Sequence, residues 1–123
     1  SKQILIEDVA KGCGVDFVKV TDPYDLKHTI STIKEAVDYK GPAVVISRHK
    51  CAILESQERT AKGDEIIQFE IDEEKCTECM ACIKLLGCPA LVVTEGNVSI
   101  DSILCVGCGV CAQVCPYAAI RKG

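Results

Sequence analysis

Residues 76–89 read CTECMACIKLLGCP, and residues 105–116 read CVGCGVCAQVCP. Each stretch opens with three cysteines at intervals of three and closes on Cys-Pro. The spacer before the closing cysteine is five residues in the first, Ile83 to Gly87, and three in the second, Ala112 to Val114. The likeness extends outward. IDEEKCTECMAC (71–82) matches IDSILCVGCGVC (100–111), with Ile71 on Ile100, Asp72 on Asp101 and all three cysteines in register at an offset of 29. CPALVV (88–93) aligns in turn with CPYAAI (115–120). Residues 66–123 are thus an internal repeat. Each half predicts a short strand, a three-cysteine loop, a Cys-Pro and a second short strand, and the duplication predicts two equivalent sites about a pseudo-twofold axis.

The chain holds ten cysteines in 123 residues, and eight of them fall between 76 and 115. In a secreted chain that density would suggest disulfides. Adjacent CxxC pairs make poor disulfide frameworks and good chelates, so the expected setting is a reducing cytoplasm. A cubane iron–sulfur cluster needs four thiolates in a tetrahedral arrangement, and C-x2-C-x2-C wraps one loop around one face to supply three. Zinc is the competing reading, since paired CxxC units also make zinc ribbons. Zinc would leave the third cysteine of each triplet idle. A [3Fe–4S] site usually lacks the middle thiolate, and here Cys79 and Cys108 are both present. Two [4Fe–4S] clusters are therefore expected. Pro89 and Pro116 cannot continue a helix and turn the chain away from each site. Gly107 and Gly109 bracket Cys108 and let backbone N–H groups approach cluster sulfurs.

The cysteine-rich segment resembles bacterial-type two-[4Fe–4S] ferredoxins. In such proteins the cysteine before proline serves the other cluster. The resemblance implies one cluster on Cys76, Cys79, Cys82 and Cys115, and a second on Cys105, Cys108, Cys111 and Cys88. The five-residue spacer then lies between sites rather than inside one. Leu85 and Leu86 within it are expected to fill the small core, or else to form a surface for a partner.

The first 54 residues read differently. ILIEDVAKG (4–12) is a short helical stretch broken by Gly12 to Gly14, and FVKV (17–20) is a strand candidate. In TDPYDLKHTISTIKEAVDYKGP, Asp22 is the expected N-cap, with Pro23 at the first helical position and Asp25 as the capping-box acid. Leu26, Ile30, Ile33 and Val37 form one apolar face. Gly41-Pro42 stops the helix, and AVVIS (43–47) reads as a buried parallel strand. One βαβ unit is too little for a domain, because its apolar faces have nothing to cover them. Residues 55–65, ESQERTAKGDE, hold a single apolar residue, Ala61, and read as a solvated linker, with a short surface helix as the alternative. The whole is an α+β chain: a partial βαβ unit over 1–54, a linker over 55–65 and a ferredoxin-like domain over 66–123.

Other readings are excluded or bland. A net charge of −4 gives no support to nucleic-acid binding. The apolar runs are far shorter than the ~20 residues that span a bilayer, so no membrane partner is expected. SKQILIEDVAKG has no basic region followed by an apolar core, so no signal peptide is expected. Cys13 and Cys51 are expected as buried or half-buried thiols, and His28 as solvent-facing. His49, at the end of a strand, is the more interesting histidine, because α/β sites gather at strand carboxyl ends. No catalytic nucleophile–base pair or phosphate-binding glycine loop stands out.

GVDFVKVTDPYDLKHTISTIKEAVDYKGPAVVISRHKCA (14–52) resembles the end of the thiamine-diphosphate-binding domain of 2-oxoacid:ferredoxin oxidoreductases. With the ferredoxin segment after it, the chain resembles the C-terminal part of the alpha subunit of indolepyruvate:ferredoxin oxidoreductases. That resemblance implies an electron-transfer module within an enzyme that oxidises aryl pyruvates with thiamine diphosphate, CoA and ferredoxin. It implies as partners a thiamine-binding catalytic portion, a smaller beta subunit and a soluble ferredoxin. The family's GDG-type thiamine and magnesium motif is missing here, and Gly12 to Gly14 (GCG) does not fit it. Thiamine and magnesium belong to an upstream part or a partner subunit, so the chain is not catalytic alone. The alternative is a free-standing ferredoxin-like carrier with an N-terminal docking segment.

Overall fold

A computed structural model describes residues 3–123. The chain divides into two compact units, one running to His49 and the other Lys50–Gly123.

In the first unit, helix α1 (Ile6–Gly12) leads to strand β1 (Phe17–Thr21), helix α2 (Leu26–Asp38) and strand β2 (Ala43–Ser47). The strands pair in parallel, with Phe17 opposite Ala43 and Thr21 opposite Ser47, as the strand–helix–strand order predicted. The start of α2 differs from the expectation. Asp25 is the N-cap, its carboxylate accepting from the His28 N–H at 3.0 Å. Asp22 closes a turn instead, accepting from the Tyr24 N–H at 2.9 Å, so the helix begins one turn later.

The face that α2 buries also differs. Thr32 is 1% exposed, while Ile30, Ile33 and Val37 are 51, 48 and 77% exposed. Hydroxyl bonds set this rotation. Thr29 Oγ1 donates to the Asp22 carbonyl at 2.7 Å and pairs with Thr21 Oγ1 at 2.9 Å. Residues 29, 32 and 36 lie on one stripe at helical spacing, and their small side chains bring the helix in while the apolar stripe points out.

Arg48, just after β2, grips Glu7 of α1 through two bonds of 2.9 and 2.5 Å. That fork holds the Glu7 carboxyl down from 4.5 to about 2. A folded value below the unfolded one gives stability that is present above about pH 4.5 and lost as pH falls toward 2. The wild-type chain is therefore expected to lose melting temperature through that window, and Glu7→Gln to lose less. Thermal melts at pH 3 and pH 6 check this.

The second unit opens with helix α3 (Ala52–Ala61), capped by Cys51. The stretch read as a linker over 55–65 thus takes its alternative form, a short surface helix, and the two units divide at His49. The stretch lacks an apolar stripe, but Ala, Leu, Glu, Gln and Arg are good helix formers. Thr60 Oγ1 bonds back to the Ser56 carbonyl, and Lys50 pairs with Glu58. Gly63, at φ +77°, follows the end.

Two antiparallel ribbons follow, joined by the cysteine loops and short helices α4 (Ala81–Leu86) and α5 (Val110–Val114). Strand β3 (Phe69–Ile71) pairs with β6 (Ile120–Lys122), and β4 (Leu91–Thr94) with β5 (Asn97–Ile100). Each ribbon takes one strand from each half of the repeat, so neither half can close alone. The twofold shows in matched bonds: Asp72 N–H to the Ala119 carbonyl at 2.7 Å, and Asp101 N–H to the Ala90 carbonyl at 2.8 Å. Ala90, Val98, Ala119 and Ile120 are this unit's buried apolar residues among those described. So small a core needs help from elsewhere. No helix among the described residues is long and apolar enough to cross a membrane.

Candidate metal centre

Both cysteine loops are launched the same way. Cys76 N–H bonds to the Asp72 carbonyl at 2.9 Å and Cys105 N–H to the Asp101 carbonyl at 3.0 Å. The two aspartate side chains brace the turns, accepting from Glu74 N–H at 3.2 Å and Ile103 N–H at 2.8 Å. The residues flanking each middle cysteine are left-handed: Glu78 (φ +53°) and Met80 (+58°) around Cys79, Gly107 (+72°) and Gly109 (+74°) around Cys108. Successive backbone N–H groups in such turns form the concavities that bind anions and iron–sulfur centres. The second loop has no room for side chains. A Cβ on Gly107 would lie 2.5 Å from the Ile67 carbonyl oxygen, and one on Gly109 3.0 Å from the Phe69 ring.

One concavity is lined by Cys76, Cys79, Cys82 and Cys115 together, with Ile71 and Tyr117 at its wall. Burial pushes the Cys82 thiol up, and the neighbouring Cys115 and Cys79 push it the same way. Cys115 Sγ also accepts from the Ala119 N–H at 3.3 Å. In the other half, burial is the first cause lifting Cys111 to about 11, and Cys108, Cys105 and Cys88 add to it. Each triplet thus has the closing cysteine of the opposite half beside it. Metal or cluster binding at such thiols releases their protons. Among the described residues no three His, Cys, Asp or Glu side chains converge as they would around a single ion. The four cysteines that line the first concavity are a donor set that fits a cluster held by several thiolates.

The five-residue spacer is helical. It belongs to α4, which ends at Gly87 in the left-handed region (φ +56°), and the chain then reaches Cys88. Leu85 is 71% exposed and does not fill the core. Cys13 and Cys51 are exposed rather than buried. The N–H groups of Leu54 and Ile53 hold the Cys51 thiol below its usual range. His28 is exposed, as expected, and its ring also bonds Thr21 Oγ1 at 3.1 Å. His49 sits at the carboxyl end of the parallel pair, with Nδ1 2.9 Å from Asp22 Oδ1 and its ring edge-on to Tyr24 at 4.0 Å. Sequence reasoning missed that Asp22–His49 contact, which joins two turns far apart in the chain. It also missed the left-handed Glu78 and Met80, although their alignment with Gly107 and Gly109 carried the signal.

The paired strands and thiol cages define an iron–sulfur electron-transfer module of the ferredoxin type, and residues 98–121 match the 4Fe-4S binding domain family. More particularly, the chain is similar along nearly its whole length to a segment of IorA proteins. It is 45% identical over 123 residues to indolepyruvate oxidoreductase subunit IorA of Pyrococcus horikoshii, covering 98% of this chain and 19% of that protein. Identity to the Archaeoglobus fulgidus IorA is 45% over 120 residues, with the same two coverages. Pyruvate synthase subunit PorD of Methanothermobacter marburgensis is 41% identical over 51 residues, 42% of this chain and 59% of that protein. The chain spans about a fifth of the length of the IorA proteins it matches.

Proposed function

We propose that this chain holds two [4Fe–4S] clusters and relays electrons within a thiamine-dependent indolepyruvate:ferredoxin oxidoreductase. Cys76, Cys79, Cys82 and Cys115 hold one cluster; Cys105, Cys108, Cys111 and Cys88 hold the other. The grouping of each triplet with the opposite half's Cys-Pro cysteine carries this reading. When bound, such clusters take up and release single electrons at potentials set by nearby charge, hydrogen bonds and exposure. The chain's residues fix that environment. Asp72 and Asp101 brace the loops, left-handed residues flank each middle cysteine, and Ala119 N–H bonds the Cys115 sulfur.

The region 1–54 is read as the end of a thiamine-binding domain. Its parallel strands and the likeness to IorA along both units support this. Thiamine and magnesium lie outside this chain, in a catalytic portion that works with a smaller beta subunit and an external ferredoxin. Anaerobic iron and sulfide analysis of the whole chain tests the reading. The expected content is about eight of each per chain, with visible absorption bleached by dithionite; zinc without sulfide overturns it.

A further inference from the structure

The repeat supplies its own control, because the two loops share a backbone and differ in charge. Glu73, Glu74, Lys75 and Glu78 of the first loop occupy the places of Ser102, Ile103, Leu104 and Gly107 in the second. Glu78 lines the same concavity as Cys76, Cys79, Cys82 and Cys115. With Glu73 and Cys76 it also lines an adjoining cleft against β5. Two cations by this loop are engaged with other acids: Lys75 with Asp72 at 3.4 Å, and Arg121 with Glu70 at 3.1 Å. Glu78 is held in the left-handed region, which a residue other than Gly, Asn or Asp rarely adopts. Its twin position is glycine.

We infer that the Glu78 carboxylate sets the reduction potential of the centre held by the first triplet, depressing it by its negative charge and separating it from its twin. Adding an electron beside a fixed anion is unfavourable, and the second loop carries no acid at the corresponding place. Glu78 touches no substrate and is a tuning residue.

The inference rests on the cluster assignment above, and its test separates the two. The reconstituted whole chain is titrated anaerobically against potential, with both reduction steps followed by electron paramagnetic resonance. Glu78→Gln is expected to move one step upward and leave the other in place. At fixed ambient potential its reduced-to-oxidised ratio should rise roughly three- to tenfold, tenfold being about 59 mV for one electron. Glu78→Asp keeps the charge and should restore the wild-type step. Glu78→Gly, which the backbone favours at this position, should give the same shift as Gln if Gln lowers cluster occupancy. Raising the ionic strength should shrink the difference between wild type and Gln, because an exposed charge is screened. Full iron and sulfide with neither step moved, or with both moved equally, overturns the inference. Failure of the wild type to take up iron and sulfide overturns the cluster assignment instead.

Discussion

Cys88→Ala is expected to remove the site built on the second triplet, Cys105, Cys108 and Cys111, and to spare the site built on the first. Cys88 follows the first triplet in the chain, yet it is among the neighbours that push the Cys111 thiol up in the other half. Iron and sulfide should fall to about half, and the remaining resonance signal should match that of Cys108→Ala. Cys115→Ala should behave like Cys79→Ala, because Cys115 lines the concavity of the first triplet. The effect on folding should also be large. The buried apolar set of this unit is small, and both ribbons need both halves. Cluster binding and folding are then one equilibrium, so Cys88→Ala should melt well below wild type. A Cys88→Ala protein whose surviving signal matches that of Cys79→Ala would refute the crossed assignment.

Gly107→Val is the second change with a large expected effect. At φ +72° a side chain is strained, and a Cβ there would lie 2.5 Å from a backbone oxygen, that of Ile67, which cannot swing aside as a side chain can. Left-handed strain of about 1–2 kcal/mol adds to an overpacking cost of about 1–3 kcal/mol. Each kcal/mol is worth roughly 4–8 °C in melting temperature for a unit of this size. The second site should lose occupancy first, since the displaced loop carries Cys105 and Cys108. The mirror change, Glu78→Gly in the first loop, should keep both sites filled. Iron content and thermal melts of the two variants, side by side, check the contrast. Equal losses in both would mean that the loops do not differ in packing.

Much of this was legible in the chain itself. The three-residue cysteine spacing, the offset of 29 and the closing Cys-Pro pairs marked the repeat and its two halves. The strand–helix–strand order of the first unit was equally plain, because FVKV and AVVIS are short β-rich runs around a long helical pattern. The misreadings were local competitions. Asp22 and Asp25 are both good caps, and Asp22 was taken by a turn and by His49. Residues 55–65 looked like a linker because hydrophobic periodicity was absent. Helix propensity and an ion pair were enough to form α3.

What the sequence by itself determined is the inventory and spacing of the thiolates, since three cysteines at intervals of three on one short loop can wrap one face of a compact body. It also determined the repeat, and with it two halves of the same strand–loop–strand plan. The tertiary structure alone decided which distant groups meet. Strand exchange between the halves brings Cys115 toward the first triplet and Cys88 toward the second. Hydroxyl bonds from Thr29 turn α2 so that Thr32 goes in and Ile33 stays out. The Ile67 carbonyl stands against one loop, while the matching place in the other holds Glu78. Covalent spacing limits what one segment can do; packing between segments far apart in the chain settles which surface each presents.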